Sequence, residues 1–312
     1  MKRKKIAITI RSFDADGSNL DKLRSHFNIT YLNMTKKRLA SEELIAAIRG
    51  AEGVIAGTEQ FTGQVIRNSA DLKVISRVGV GIDNIDMDAA RTAGIRVMNT
   101  PDAPADAVAE HTLTLILCCL KNACMYNAAA RERSKSPGIP AGLLLKGRVC
   151  GIIGMGRIGK KVAAILRSFG SRVMYYDPYV TLDPEPGITR ADTLGELLTV
   201  SDIITLHIPS LGGSEQIISR RTLPLCKDGV ILINTARGSH IDEDVLVKGL
   251  QEKKILAAGL DVFAKEPYSG PLVDFPQVVI TPHVASNTVE SRKKMEEEAV
   301  ENLITAMEWT ES

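Results

Sequence analysis

A chain of 312 residues, 44% hydrophobic and holding 25 glycines, is long enough for two cores of ordinary domain size. Its 39 basic and 37 acidic residues nearly cancel, so it offers no broad field to nucleic acid or a membrane surface, and neither is expected as a partner. The five cysteines, Cys118, Cys119, Cys124, Cys150 and Cys226, form no Cys-x-x-Cys pair; they fit reduced core thiols and indicate neither a disulfide framework nor a metal site.

The basic cluster Lys2-Arg3-Lys4-Lys5 runs straight into the strand-like Ile6–Ile10 and is read as a solvated terminus. That strand is too short for a signal-peptide core, and the longer apolar span, Leu113–Leu120, is stopped by Lys121-Asn122, so a soluble, cytoplasmic protein is expected. Asp14 to Ser18 lacks the ligands of a calcium loop and reads as a turn. Up to Met98, β-branched runs (Ile6–Ile10, Ile29–Leu32, Val54–Ala56, Val74–Ser76, Ile95–Met98) alternate with helical segments that include Ser41–Arg49, with Ser41 as N-cap, Gly63–Ser69 and Met87–Ala93. This is the pattern of a parallel α/β unit. Gly79-Val80-Gly81 follows one of its strands but opens no helix, which assigns that loop to substrate rather than to a dinucleotide.

Asn99-Thr100-Pro101 breaks the alternation, and a helix rich in Ala, Leu and Cys is predicted over 105–133. Its apolar surplus points to a buried or subunit-contact helix and hence to a homodimer, with His111 as a capping or interface residue. Ser136 to Pro140 reads as a loop. A second α/β unit starts at Lys146, with further strands at Ile203–His207, Val230–Asn234, Ala257–Val262 and Val278–Ile280. A last helix, Asn287–Met307, is expected to return to the first unit and leave it discontinuous. No solenoid repeat or low-complexity tract appears.

The most specific stretch is Gly154-Met155-Gly156-Arg157-Ile158-Gly159, set between the apolar run Arg148–Ile153 and the amphipathic Ile158–Phe169. Asp177 follows about twenty residues on, after the apolar run Arg172–Tyr176, where a dinucleotide fold offers a carboxylate to ribose hydroxyls. Gly154 permits a turn at positive φ, Gly156 lets backbone approach a pyrophosphate, and Gly159 lets helix pack on strand; the helix N-terminus then faces the phosphates. Asp177 accepts from a 2′-hydroxyl and repels a 2′-phosphate, and Tyr175, Tyr176, Pro178 and Tyr179 bring no cation, so NAD is expected over NADP. The fold class that follows is α/β: two doubly wound parallel sheets, with a Rossmann-type nucleotide domain (104–284) inserted in a flavodoxin-like substrate domain (1–103 and 285–312).

Arg237, Glu266 and His283 stand at the ends of strands of the second unit, the address where ligands gather on a parallel sheet. An imidazole suits proton transfer in both directions at neutral pH, a carboxylate against the ring fixes its tautomer, and a guanidinium clamps a carboxylate at two points while polarising an adjacent carbonyl. His283 is the proposed base, Glu266 its orienter and Arg237 the clamp. His207 is the rival imidazole. It ends a strand before Ile208-Pro209, with no acid or arginine of the right kind after it, and is assigned a backbone contact to a cofactor ribose; His26 and His240 read as exposed.

These residues resemble the D-isomer-specific 2-hydroxyacid dehydrogenases, in their D-3-phosphoglycerate dehydrogenase-like group. The resemblance spans nearly the whole chain, through Arg77 to Asn84, Val97 to Pro101, Val108 to Thr112, Gly154 to Gly159, Asn234 to Gly238, Gly259 to Phe263, Glu266-Pro267 and Thr281 to His283. It implies the catalytic set Arg237, Glu266 and His283, and cofactor contacts from Arg157, Ile158, Asp177, Pro209, Thr235, Ala236 and Asp261. It also implies substrate carboxylate binding by the backbone around Val80 and Gly81, a homodimer on the 105–133 helix, and NAD-dependent interconversion of a small (R)-2-hydroxy acid and its 2-oxo acid; Gly57 and Gly79 are expected as further substrate contacts. Two departures stand out. Ala56-Gly57-Thr58-Glu59 carries a glutamate where phosphoglycerate-oxidising members tend to carry a base, which points to hydroxypyruvate or glyoxylate as alternative substrates. The chain also ends at Ser312 without the C-terminal regulatory domains of many relatives, so serine control is not expected. A non-catalytic NAD-sensing corepressor-like protein is the rival reading of the same fold.

Overall fold

Short β-branched runs and intervening helices sort into two parallel sheets. The computed structural model describes residues 3–14, 16–133, 138–180, 187–210 and 216–308. It divides into two units, Met1–Pro104 with Thr288–Ser312, and Ala105–Asn287.

In the first unit β1 (Lys5–Ile8), α1 (Ser18–His26), β2 (Asn28–Leu32), α2 (Ser41–Ala47), β3 (Gly53–Ala56), α3 (Gly63–Arg67), β4 (Val74–Arg77), α4 (Met87–Thr92) and β5 (Arg96–Met98) follow one another. The strands pair in parallel in the order β2-β1-β3-β4-β5, which is the flavodoxin-like arrangement. A strand covered on both faces needs apolar side chains on both, and β3 is buried at all four positions. One cover is the C-terminal helix, Val289–Glu308. A Cβ on Gly53 would stand 2.8 Å from Leu303 Cδ1, so the glycine is what lets this helix lie close. Ser76 Oγ donates to the Ala299 carbonyl at 2.7 Å, and burial of Leu303 contributes about 2 kcal/mol.

Of the expected turn Asp14 to Ser18, Ala15 lies outside the described residues and Ser18 opens α1; the Gly17 amide donates to the Asp14 carbonyl at 3.4 Å. The Asp14 carboxylate accepts from the amides of Asn19 and Leu20 and so caps α1. Ser41 is the first helical residue of α2 rather than its cap; Glu43 reaches back to the Ala40 amide at 2.8 Å.

The second unit opens with α5 (Ala105–Lys121) and α6 (Ala123–Arg131) and continues through β6 (Val149–Ile153), α7 (Arg157–Ser168), β7 (Arg172–Tyr176), β8 (Ile188–Arg190), α8 (Leu194–Val200), β9 (Ile203–Leu206), β10 (Val230–Asn234), α9 (Glu243–Gln251), β11 (Ile255–Leu260) and β12 (Val278–Ile280). Its seven strands run parallel in the order β12-β11-β10-β9-β6-β7-β8, the Rossmann order with one added strand. The strand order reverses between β6 and β9. One apolar cluster, which takes in Leu115, Ile116, Val162 and Tyr175, and a second, which takes in Leu198, Leu232, Leu246 and Leu260, make up its core.

The single helix predicted over 105–133 is two helices bent by 65°. Asn122 adopts the left-handed conformation (φ 51°), which Asn tolerates better than most residues, and its side-chain amide donates to the Pro140 carbonyl at 2.9 Å. The returning chain caps α5 as well, since the Leu143 amide donates to the Leu120 carbonyl at 2.7 Å. Nine residues of α5 are buried and none of α6. Ser136 and Pro137 of the expected loop lie outside the described residues. No single helix among the described residues is long and apolar enough to cross a membrane.

Candidate active site

The glycine turn after β6 lies at the point where the strand order reverses, and three observations there fit a dinucleotide. Gly154 has φ 94°, and a Cβ on it would stand 2.5 Å from the His207 carbonyl oxygen, so only glycine lets the turns after β6 and β9 touch. Gly156 is exposed, and its Cβ position meets nothing within 4 Å, which leaves room for a phosphate against the backbone. Gly159 presses on the loop instead: a Cβ there would come 2.1 Å from the Gly154 carbonyl oxygen. The N-terminus of α7 has no side-chain cap, and Arg157 and Ile158 form its first turn, so its amides and dipole are available to an anion. Asp177, at the tip of β7, accepts from the Met155 amide through Oδ2 and the Tyr179 amide through Oδ1, both at 2.8 Å. Each carboxylate oxygen has a further lone pair for a ribose hydroxyl.

His207 follows β9, with Nε2 2.9 Å from Thr205 Oγ1. Burial pushes its imidazole down to about 3, so it is neutral at physiological pH. Pro209, two residues on, is exposed. Thr235 and Ala236 lie just beyond β10. Thr235 Oγ1 is 3.0 Å from Thr112 Oγ1, and the Ala236 amide donates to Asn234 Oδ1.

Arg237, Glu266 and His283 follow β10, β11 and β12, three neighbouring strands, at their carboxyl ends. His283 Nδ1 lies 2.9 Å from Glu266 Oε2, and Glu266 Oε1 accepts from the Phe263 amide at 3.1 Å. The His283 side chain is 53% exposed and that of Glu266 36%, so the pair holds one ring nitrogen and leaves the rest of the ring open. The Glu266 loop is anchored by Tyr268, which stacks on Phe263 at 4.1 Å and donates its hydroxyl to Glu243. His283 is itself in the left-handed region (φ 56°), which costs a non-glycine residue about 1 kcal/mol.

Sequence reasoning missed how Arg237 and Glu266 come together. A Cβ on Gly238 would stand 2.0 Å from the Phe263 carbonyl carbon, so this glycine lets the Arg237 turn and the Glu266 loop touch backbone to backbone. Asn234 shapes the same turn, donating through Nδ2 to the Arg237 carbonyl at 2.8 Å. The motif Asn-Thr-Ala-Arg-Gly held both residues, but only the fold shows what they meet.

Other expectations need correcting. His240 is buried rather than exposed, with Nε2 3.2 Å from the Ile208 carbonyl. His111 makes no cap: its ring, 18% exposed, has Nε2 3.0 Å from Thr281 Oγ1. Apart from these, Asp261 is fully buried, and its carboxylate accepts from Thr281 Oγ1 and from the amides of Val284 and Ala285.

In the first unit the proposed substrate loop divides in the same way. The Gly57 amide is spent on Glu59 Oε2 at 2.7 Å, and the Gly79 amide on Thr100 Oγ1 at 2.7 Å. Both were expected to contact substrate, and neither has an N–H left to give. The Val80 and Gly81 amides donate to nothing among the described residues. Of the four, these two are the available anion donors. Among the described residues no cluster of His, Cys, Asp and Glu is arranged to hold a metal.

Residues 113–285 match the model of the D-isomer specific 2-hydroxyacid dehydrogenase, NAD binding domain. The chain is 39% identical over 260 residues to the D-3-phosphoglycerate dehydrogenase of Methanocaldococcus jannaschii, covering 82% of this chain and 49% of that protein. It is 36% identical over 278 residues to the hydroxypyruvate reductase of Thermotoga maritima, covering 87% and 90%. The crystal structure of a glyoxylate reductase from Paecilomyes thermophila superposes with a TM-score of 0.90 at 30% identity, covering 99% and 96%. The chain thus spans about half the length of the D-3-phosphoglycerate dehydrogenase it matches and nearly all of the reductases. It belongs to the D-isomer specific 2-hydroxyacid dehydrogenase family, in the group that resembles D-3-phosphoglycerate dehydrogenase.

Proposed function

We propose that this protein interconverts a small (R)-2-hydroxy acid and its 2-oxo acid with NAD. The observation that carries the reading is the His283–Glu266 pair at the carboxyl edge of a sheet whose glycine turn suits a dinucleotide. When bound, the nicotinamide supplies the hydride acceptor for oxidation and the donor for reduction. Glu266 holds Nδ1 of His283, which leaves Nε2 to take the proton from the substrate hydroxyl or to return it to the carbonyl oxygen. The carboxylate then stabilises the charged ring. Arg237 binds the substrate carboxylate and polarises the carbonyl beside it. Gly154, Gly156, Gly159, Arg157 and Ile158 hold the pyrophosphate, Asp177 the adenosine ribose, and the turns at His207-Pro209 and Thr235-Ala236 flank the rest. Residues 104–284 act as the NAD domain; residues 1–103 with 285–312 act as the substrate domain through the Val80 and Gly81 amides. The stereochemistry is that of the family.

A second reading concerns the substrate. Glu59 is 1% exposed and bonded to the Gly57 amide, so a carboxylate is fixed in the loop after β3 and opposes a phosphate dianion. This favours unphosphorylated acids such as hydroxypyruvate or glyoxylate. The exposed face of α6, with Tyr126, supports a homodimer through 105–133; a cytoplasmic location accords with the reduced thiols.

NADH oxidation by a panel of 2-oxo acids, phosphorylated and not, tests the reading with wild type and His283→Ala side by side. Turnover that is lost in the variant while NADH still binds supports it. NADH binding with no turnover on any acid contradicts it and favours the NAD-sensing alternative.

A further inference from the structure

We propose that His111 is a positioning residue for His283 and acts through Thr281 and Asp261. It rests on the reading of His283 as the proton-transfer group. His111 lies in α5, far along the chain from the β12 turn, yet its Nε2 is 3.0 Å from Thr281 Oγ1 and 3.6 Å from Asp261 Oδ1.

The direction of these bonds follows from counting protons. A carboxylate only accepts, so Thr281 donates its one hydroxyl proton to Asp261 Oδ1, at 2.6 Å. Thr281 has none left for His111. The ring must therefore carry its proton on Nε2 and donate to Thr281 Oγ1, which makes a one-way chain from His111 to Thr281 to Asp261.

Asp261 is the hub of the turn that carries His283. Its side chain is fully buried; Oδ1 also accepts the Val284 amide at 2.8 Å, Oδ2 the Ala285 amide at 2.9 Å, and its carbonyl accepts the His283 amide at 2.9 Å. Burial alone would raise its pKa, but His111, Thr281 and the two amides hold the carboxyl below its usual value. Residues 281–285 are thus wrapped around one buried charge, and the wrapping holds His283 at φ 56° within reach of Glu266. Without the His111 donor the Thr281 oxygen loses the bond that ties it to α5, and Asp261 loses its most distant tether. The turn is then freer to carry His283 away from Glu266, and a misplacement of about 1 Å suffices to slow catalysis by an order of magnitude or more.

The test compares His111→Leu, which fills space without a donor, with His111→Gln, whose terminal amide restores an N–H at similar reach. His111→Leu is expected to lower kcat about tenfold with KM for NADH unchanged, and His111→Gln to recover to within about threefold of wild type. In the cofactor-free protein the Nδ1 nitrogen resonance of His283, which reports its bond to Glu266, should shift in His111→Leu and return in His111→Gln. That signal needs no turnover, so it decides the claim even if every 2-oxo acid proves inert and the dehydrogenase reading fails. In wild type the His111 ring should carry its proton on Nε2, a measurement that stands if His111→Leu does not fold. A proton found on Nδ1 with Nε2 bare, equal impairment of both variants, or an unmoved His283 signal overturns the proposal.

Discussion

Two imidazoles end strands of the same sheet, His207 after β9 and His283 after β12, and their surroundings differ in every respect that matters to proton transfer. His207 has a hydroxyl for a partner and an environment that drives its pKa to about 3, so it stays neutral. His283 has a carboxylate at 2.9 Å and a side chain half open to solvent. Position at the edge of a parallel sheet is thus shared, and the partner decides. The ring beside a carboxylate has a partner for the charge that proton transfer creates, and the ring beside a hydroxyl has none.

The largest test of that contrast is His283→Ala, expected to lower kcat about a thousandfold, since a positioned acid–base group commonly contributes 10²- to 10⁴-fold. Steady-state NADH oxidation checks it. Next comes Glu266→Gln, which keeps the shape and removes the charge; about a hundredfold loss in kcat with NADH affinity intact is expected, and an equal loss in affinity would move Glu266 from the chemistry to the cofactor. Asp177→Ala should narrow the preference for NADH over NADPH by about tenfold, the scale of a hydrogen bond to a charged group, as read from the ratio of kcat/KM values. An unchanged ratio would take the cofactor choice away from this carboxylate.

The smallest effect on turnover is expected from His207→Asn, within about threefold of wild type. Its signature lies in stability. The unfolded ring binds a proton below pH 6.5, and the folded one resists until about 3, so acid favours the unfolded state and stability falls as pH drops through that window. By pH 4 the penalty is about 3 kcal/mol, and His207→Asn should remove most of it. Denaturant unfolding of both proteins at pH 7 and pH 4 measures the difference, and equal losses on acidification would mean that His207 is not held neutral.

The two halves of the molecule were not equally open to reading from residues. The stretch Ile153–Asp177 announced itself because strand, glycine turn, helix and acid are local, and each glycine meets what its place in the motif requires. Arg237, Glu266 and His283 were legible for a similar reason: each sits just past an apolar run, where the strand must end. What failed depended on residues distant in sequence. The break at Asn122 is fixed by the Pro140 carbonyl, and the burial of His240 goes with its bond to the Ile208 carbonyl. Nor do neighbouring residues announce that the Asp261 side chain is buried, since Thr281, Val284 and Ala285 come to it from the turn after β12. The edge strand β8 carried one apolar residue, Ile188, too weak a pattern to register.

The most direct measurement of the central claim is chemical rescue. His283→Ala, supplied with NADH and the best 2-oxo acid of the panel, should recover part of its turnover as free imidazole is added, while His207→Asn should be indifferent to imidazole. A His283→Ala protein that turns over at the wild-type rate with no imidazole present would contradict the assignment of proton transfer to position 283.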